Sequence, residues 1–255
     1  MCLRTMSSSF PIPIPARLPR KIEPCPIVEA VFEVRFTTTE PWRTLPGLLH
    51  EKIRERYPEQ RDLPLAQIPD EIRRQEPTLA NLPLMQFLGA DFLVQLGPSV
   101  INLITKPNAY PGWARIQEQL RWLVEKVQEA GFIREAGRLG VRYIDFFEDD
   151  IFSKLALEVV VAAQPLRGSE LRVATVLRRG AFTARLLVTN SAILGTVTEA
   201  KRGSVLDLDV WLGPLDFELF VNGMDKFSEA HLMVKQCFFG LAKADFVASL
   251  NPTYE

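Results

Sequence analysis

Asp207 and Asp209 are the residues in this chain best spaced to do chemistry. In Val205-Leu-Asp-Leu-Asp-Val-Trp-Leu212 the apolar and polar residues alternate. A strand with that period points both carboxylates to one face, about 7 Å apart, with Trp211 beside them. Two carboxylates so placed can hold a cation or share acid/base work. They can equally face solvent and pair with arginines on neighbouring strands, where Glu33, Arg35, Arg142, Arg172 and Arg185 are candidates for one lattice. If Arg35 and Arg142 converge with the two aspartates in a cleft, the arginines would clamp an anion and the acids a metal.

The other chemical candidates are few. There are only two histidines. His50 sits beside Glu51 in a helical run and reads as a solvated or helix-flanking side chain. His231 falls on an apolar stripe, where a ligand-binding role competes with a core histidine satisfied by one hydrogen bond. Two histidines and three scattered cysteines (Cys2, Cys25 and Cys237) make no zinc site and no disulfide framework. Gly137-Arg-Leu-Gly140 has neither dinucleotide nor Walker spacing and precedes a strand, and no Gly-x-Ser-x-Gly occurs. No catalytic set, no cofactor and no metal are therefore expected. Arg178, Arg179, Lys201 and Arg202, with Arg167 nearby, lie at expected hairpin or loop tips and are the only candidate phosphate contacts. Single-strand recognition also needs exposed aromatics between the cations. Here 16 aromatic residues are Phe, which has no polar handle and mostly fills cores.

A chain of 255 residues suffices for one large domain or two modest ones to carry these residues. Thirty Lys plus Arg against 31 Asp plus Glu leave a net charge of −1, which gives no global field for nucleic acid or an anionic membrane. Composition (47% hydrophobic, 24% charged) excludes a wholly disordered or collagen-like chain. The opening residues 1–15 lack the apolar run of about 7–15 residues that a signal peptide needs, and no run of about 18 apolar residues occurs. With the unpaired cysteines, this predicts a cytoplasmic protein without a membrane span.

Residues 1–20 read as a mobile tail carrying Phe10-Pro-Ile-Pro-Ile-Pro15. Ile27–Phe36 alternates as a half-buried strand, and Leu45, Leu48, Leu49, Ile53 and Tyr57 recur at helical spacing until Pro58 stops the run. The proline-rich stretch 58–84 should be mostly loop, with a short helix near Asp70–Gln75. Residues 92–96 and 100–104 flank Gly97-Pro98-Ser99 as a hairpin. Trp113 to Gly131 carries an amphipathic stripe with a glycine C-cap, and Arg138–Phe147 is a strand. The order β-α-β-β-α-β over 21–150 predicts a ferredoxin-like split unit. The second unit, 151–255, is expected to hold a strand or short helix at 155–163, a hairpin around Gly180-Ala181 and the Asp207 strand. A long C-terminal helix with Phe227, His231, Val234, Phe238 and Leu241 on one stripe should pack on Leu206, Leu208 and Val210. The expected class is α+β: two subdomains with mainly antiparallel sheets.

Leu18-Pro-Arg-Lys-Ile-Glu-Pro-Cys-Pro-Ile-Val-Glu-Ala-Val-Phe-Glu-Val-Arg-Phe36, Arg138-Leu-Gly-Val-Arg-Tyr-Ile-Asp-Phe146, Leu206-Asp-Leu-Asp-Val210 and Ala230-His-Leu-Met-Val-Lys-Gln-Cys-Phe-Phe239 together resemble segments of one family. It is a sporadically distributed family of bacterial and archaeal proteins of similar length with no established activity. Departures from its pattern include Asp145, where Asn is usual, and Phe239, where an acid often follows the preceding Phe. The patchy distribution resembles that of accessory genes, including phage-defence and toxin–antitoxin systems. These readings predict a non-enzymatic protein-interaction or accessory module whose partner is another protein or a second copy of the chain, not nucleic acid. The competing expectation is an enzyme or nucleotide- or anion-binding protein built on Arg35, Arg142, Asp207 and Asp209.

Overall fold

The computed structural model describes residues 10–76, 78–166, 170–195 and 200–254. Its strands are β1 (Ile27–Thr37), β2 (Glu59–Asp62), β3 (Met85–Leu88), β4 (Phe92–Gly97), β5 (Val100–Thr105) and β6 (Glu135–Phe147). They continue as β7 (Val160–Val161), β8 (Gln164–Pro165), β9 (Arg172–Arg179), β10 (Phe182–Leu194) and β11 (Lys201–Leu212). The helices are α1 (Leu45–Ile53), α2 (Asp70–Gln75), α3 (Trp113–Ala130), α4 (Leu219–Leu241) and α5 (Ala244–Ser249).

Nine of the strands form one antiparallel sheet in the order β2-β3-β4-β5-β1-β6-β11-β10-β9. The stretch β4-β5-β1-β6 has the strand order of a ferredoxin-like unit, so the β-α-β-β-α-β pattern seen in the sequence is realised at the centre of the sheet. The chain is α+β. Its two halves share that sheet, because β11 pairs with β6 from Ser204↔Phe147 to Leu212↔Leu139. They also share a core: Phe32 of β1 meets Trp113 of α3 and Phe227 of α4, with ring centroids 6.0 and 6.4 Å away. Strand β6 is inward-facing at Leu139, Val141 and Tyr143, and the second half supplies the helix that covers these residues.

Period-two alternation places Ala30, Phe32, Val34 and Phe36 of β1 under the helices and Glu29, Glu33 and Arg35 on the opposite face. Helix α3 buries Ile116, Leu120, Leu123 and Val127 and stops at Gly131, whose φ of +69° is the left-handed C-cap conformation that glycine adopts without strain. Helix α4 packs on β6 and β11 through Phe227, Ala230, Val234 and Phe238, as the stripe in the sequence implied.

Three expectations are corrected. The segment 58–84 holds the expected short helix at Asp70–Gln75 but is not otherwise all loop: Glu59–Asp62 pairs with β3 as an edge strand, and the short β3 follows directly on Pro83 and Leu84. Glu-Gln-Arg-Asp carries no apolar signal because an edge strand of four exposed residues buries nothing; its ladder to β3 alone defines it. The apolar run 155–163 joins no large sheet. Ala162 and Ala163 take positive φ and turn the chain between the two-residue strands β7 and β8. Residues 10–20 of the expected mobile tail are seated on the core: Ile12 is buried, and Pro13 runs so close to Gly240 of α4 that a Cβ there would collide with its carbonyl. Prolines that pre-extend the segment reduce the entropy lost on docking it, and Gly240 leaves it room. Residues 1–9 lie outside the described residues. Among the described residues, no helix is long and apolar enough to cross a membrane.

Candidate functional site

The open face of the sheet carries the aspartates singled out above, and it uses them as counter-ions. Asp207 receives two hydrogen bonds from Arg142, Nε to Oδ1 at 2.7 Å and Nη2 to Oδ2 at 2.8 Å. Arg185 stands 3.7 Å from Asp207 and 3.8 Å from Asp209. Arg138 donates to Asp209 at 2.8 Å and to Glu33, and its guanidinium lies 4.9 Å from the centre of the Trp211 ring. Arg35 is paired with Glu33 at 2.7 Å rather than with either aspartate. Cross-strand register gathers these groups on one face, where the bonds run diagonally: Asp209 opposes Arg142 on β6 and Arg185 on β10, yet Arg142 bonds Asp207 and Arg138 bonds Asp209, while Glu33 lies beside Gly140 between Arg138 and Arg142. Asp207, with a side chain only 6% exposed, tolerates burial because both its oxygens are bonded. Arg35, Arg142, Asp207 and Asp209 thus share one face, as the sequence suggested. An incoming anion would have to displace a carboxylate already in place.

The basic tips do not form one patch. Arg178 and Arg179 are neighbours on β9, so they point to opposite faces. Arg179 reaches Gln236 of α4 and lies over Phe10, while Arg178 is exposed. Lys201 pairs with Glu148 at 2.8 Å, and Lys201 and Arg202 sit at the far end of the β10–β11 hairpin. The eleven residue steps from Phe182 to Ile193 separate the two ends by roughly 35 Å. Arg167 lies outside the described residues.

On the helix face, a cavity of about 110 Å³ opens between β6, the start of α3, the middle of α4 and the strap of residues 19–27. Its lining includes Trp113, Tyr143, Asp145, His231, Phe238 and Cys25. The strap is tied to the chain's end: Glu23 N–H donates to Leu250 at 2.7 Å, and Lys21 bridges Thr253. His231 stacks on Trp113 with ring centroids 4.1 Å apart and planes 9° from parallel. Its Nδ1 lies 2.7 Å from the Tyr143 hydroxyl, which in turn meets the Tyr110 hydroxyl at 3.3 Å.

Asp145, His231, Tyr110, Tyr143 and Cys25 are each pushed toward the neutral form. Burial drives Asp145 up to about 8, and the nearby Asp207 adds to the rise. Burial drives His231 down to about 3, helped by Lys235. Burial also raises Tyr110 to about 12 and holds Tyr143 well above the usual phenol range. The Cys25 thiol at the cavity mouth rises chiefly through desolvation, with a further push from Asp145. A thiol–imidazole catalytic pair needs the reverse, a depressed thiol beside a basic imidazole. His231 is therefore neutral at physiological pH. In an NMR titration from about pH 8 to about pH 5 its ring signals are expected to stay constant, whereas a free imidazole would complete most of its transition near 6.5. Movement of those signals with a midpoint near 6 would show an imidazole open to water.

Asp145 is the exceptional member. It is 3% exposed, and no hydrogen bond or ion pair reaches its carboxyl from the described residues. Buried polar groups are almost always bonded, because leaving one unpaired costs about 1–3 kcal/mol. Among the sequence candidates only His231 belongs to this cavity; Cys25, Trp113, Tyr143 and Asp145 were not selected as site residues. The signal that would have found Asp145 is parity: in Val141-Arg-Tyr-Ile-Asp-Phe-Phe147 it shares the inward face with Val141 and Tyr143. His50 also departs from its expected solvated role, stacking on Phe87 at 5.9 Å. No protein-family model matches this chain, and no curated protein matches it.

Proposed function

We propose that this chain is a non-enzymatic binding protein whose ligand is a small molecule or side chain seated in the Asp145–His231 cavity. The observation that carries the reading is Asp145, a buried carboxyl to which no side chain of the described residues bonds, at the wall of a cavity lined by Trp113, Tyr143, Phe238 and Phe239 together with the cations Arg20, Lys21 and Lys235. Perturbed groups in a cleft are the usual mark of a functional site. The absence of an activated nucleophile–base pair among the cavity's titratable groups favours binding over catalysis. Trp113 is the natural reporter, since it stacks on His231 at the cavity wall. A panel of small ligands titrated into the protein is expected to shift its tryptophan fluorescence saturably. Replacing Val234, which lines the cavity, with the larger Phe should abolish that response while preserving the circular dichroism spectrum. A response unchanged in Val234→Phe would place the ligand elsewhere.

The interaction-module reading expected from sequence is favoured by a different feature. Leu215 and Val221, 98% and 79% exposed, flank the half-exposed Phe220 at the start of α4. Large apolar side chains left this exposed are common at protein interfaces.

A further inference from the structure

Resting on the cavity reading above, we propose that the cavity recognises a small organic cation, an alkylammonium group, with the Asp145 carboxylate as its counter-ion and Trp113, His231 and Phe238 as its apolar walls. Three observations point to this class. The first is the unpartnered carboxyl: a buried carboxylate needs a cation, and no neighbouring cation offsets its burial. The second is the lining. Aromatic faces attract cations, and Trp113, Tyr143, His231, Phe238 and Phe239 gather around one small space, with His231 held neutral so that it does not repel. The third is size. At about 110 Å³ the space is smaller than an engineered cavity of about 150 Å³ that takes benzene, so it suits a ligand of roughly four or five heavy atoms.

Three cations also line the cavity. Lys21 on the strap is occupied by Glu23 at 3.0 Å, and Arg20 and Lys235 line the cavity without offsetting the carboxyl. Tyr143 on the same strand, Cys25 on the strap, Tyr110 beside Tyr143 and His231 on α4 are neutral at physiological pH. Behind the sheet Asp207 adds negative potential, which opposes an anionic ligand. A bound alkylammonium would draw the carboxyl into its charged form and release its proton to solvent.

The test is calorimetric titration of the full chain with propylammonium, propanol and propionate at about pH 8.5. Propylammonium is expected to bind at least about tenfold more tightly than propanol, and propionate should not bind. Because only the ionised carboxyl pairs with the cation, affinity should fall about ninefold between pH 7 and pH 6 and change less than about twofold above pH 8.5. Asp145→Asn should bring propylammonium down to the level of propanol while the fold persists. An Nα-acetyl-lysine amide that binds more tightly than propylammonium would identify the cation as a lysine side chain of a partner, and the reverse order a free amine; both support the proposal. Equal binding of propanol and propylammonium, or an Asp145→Asn protein that keeps its amine affinity, overturns the cation and leaves the cavity standing as a neutral-ligand site. A chain that takes none of the three probes overturns both readings.

Discussion

Asp145→Asn is expected to make the protein more stable, and increasingly so as the pH rises. In the folded chain burial holds the carboxyl protonated up to about 8, whereas in the unfolded chain it ionises near the ordinary 3.8. Below 3.8 both states carry the proton and the group costs no ionisation energy. Between 3.8 and about 8 the unfolded state alone gives up its proton, so the contribution of Asp145 to stability falls steadily through that window and levels off above it. At about 1.4 kcal/mol per pH unit the loss by pH 8 reaches as much as about 6 kcal/mol, a large fraction of the roughly 5–15 kcal/mol that holds a domain together. Asn has the same shape and no charge, so the gap between the urea midpoints of the two proteins should widen steadily from pH 5 to pH 8, while His231, held near 3 in the fold, shifts both midpoints alike. Parallel midpoints for the two proteins would mean that the carboxylate is already compensated in the fold. A residue kept at such a cost fits a binding role, since groups that serve a ligand are commonly at odds with stability.

Phe227→Ala is expected to have the largest purely structural effect. The ring is 1% exposed, lies on the inward stripe of α4, and faces the Phe32 ring edge-on at 6.4 Å. Its removal takes away buried apolar surface and leaves a hole between β1 and α4 that close-packed neighbours fill only in part, which costs about 3–5 kcal/mol. For a chain of this length that corresponds to a melting temperature lower by roughly 10 °C. A melt displaced by less than about 2 °C would show that α4 does not rest on the sheet through this residue.

Much of the scaffold was legible in the sequence because its signals are local and periodic. Period two in Ile27–Phe36 and Val205–Leu212 set which side chains face inward, and period 3.6 with a closing glycine bounded α3. The charged face was legible for the same reason: once β11 is a strand, Asp207 and Asp209 must share a face, and cross-strand arginines are the simplest company for them. What local signals lack is information about partners. Edge strand β2 has four exposed polar residues and exists only because β3 lies beside it. The N-terminal prolines looked like a tail because nothing in them reveals the space above Gly240.

The cavity lies at the limit of that contrast. Sequence determined that Asp145 sits within an apolar strand and that His231 sits on an apolar stripe, each beside residues of ordinary core type. Only the tertiary structure decided that β6, α3, α4 and the strap meet there, bringing together residues as distant as Cys25 and Phe238. The tertiary structure also decided the protonation of these groups. The ionisation of a carboxyl or imidazole depends on the water and charge that surround it in three dimensions, and those are absent from any local pattern of residues.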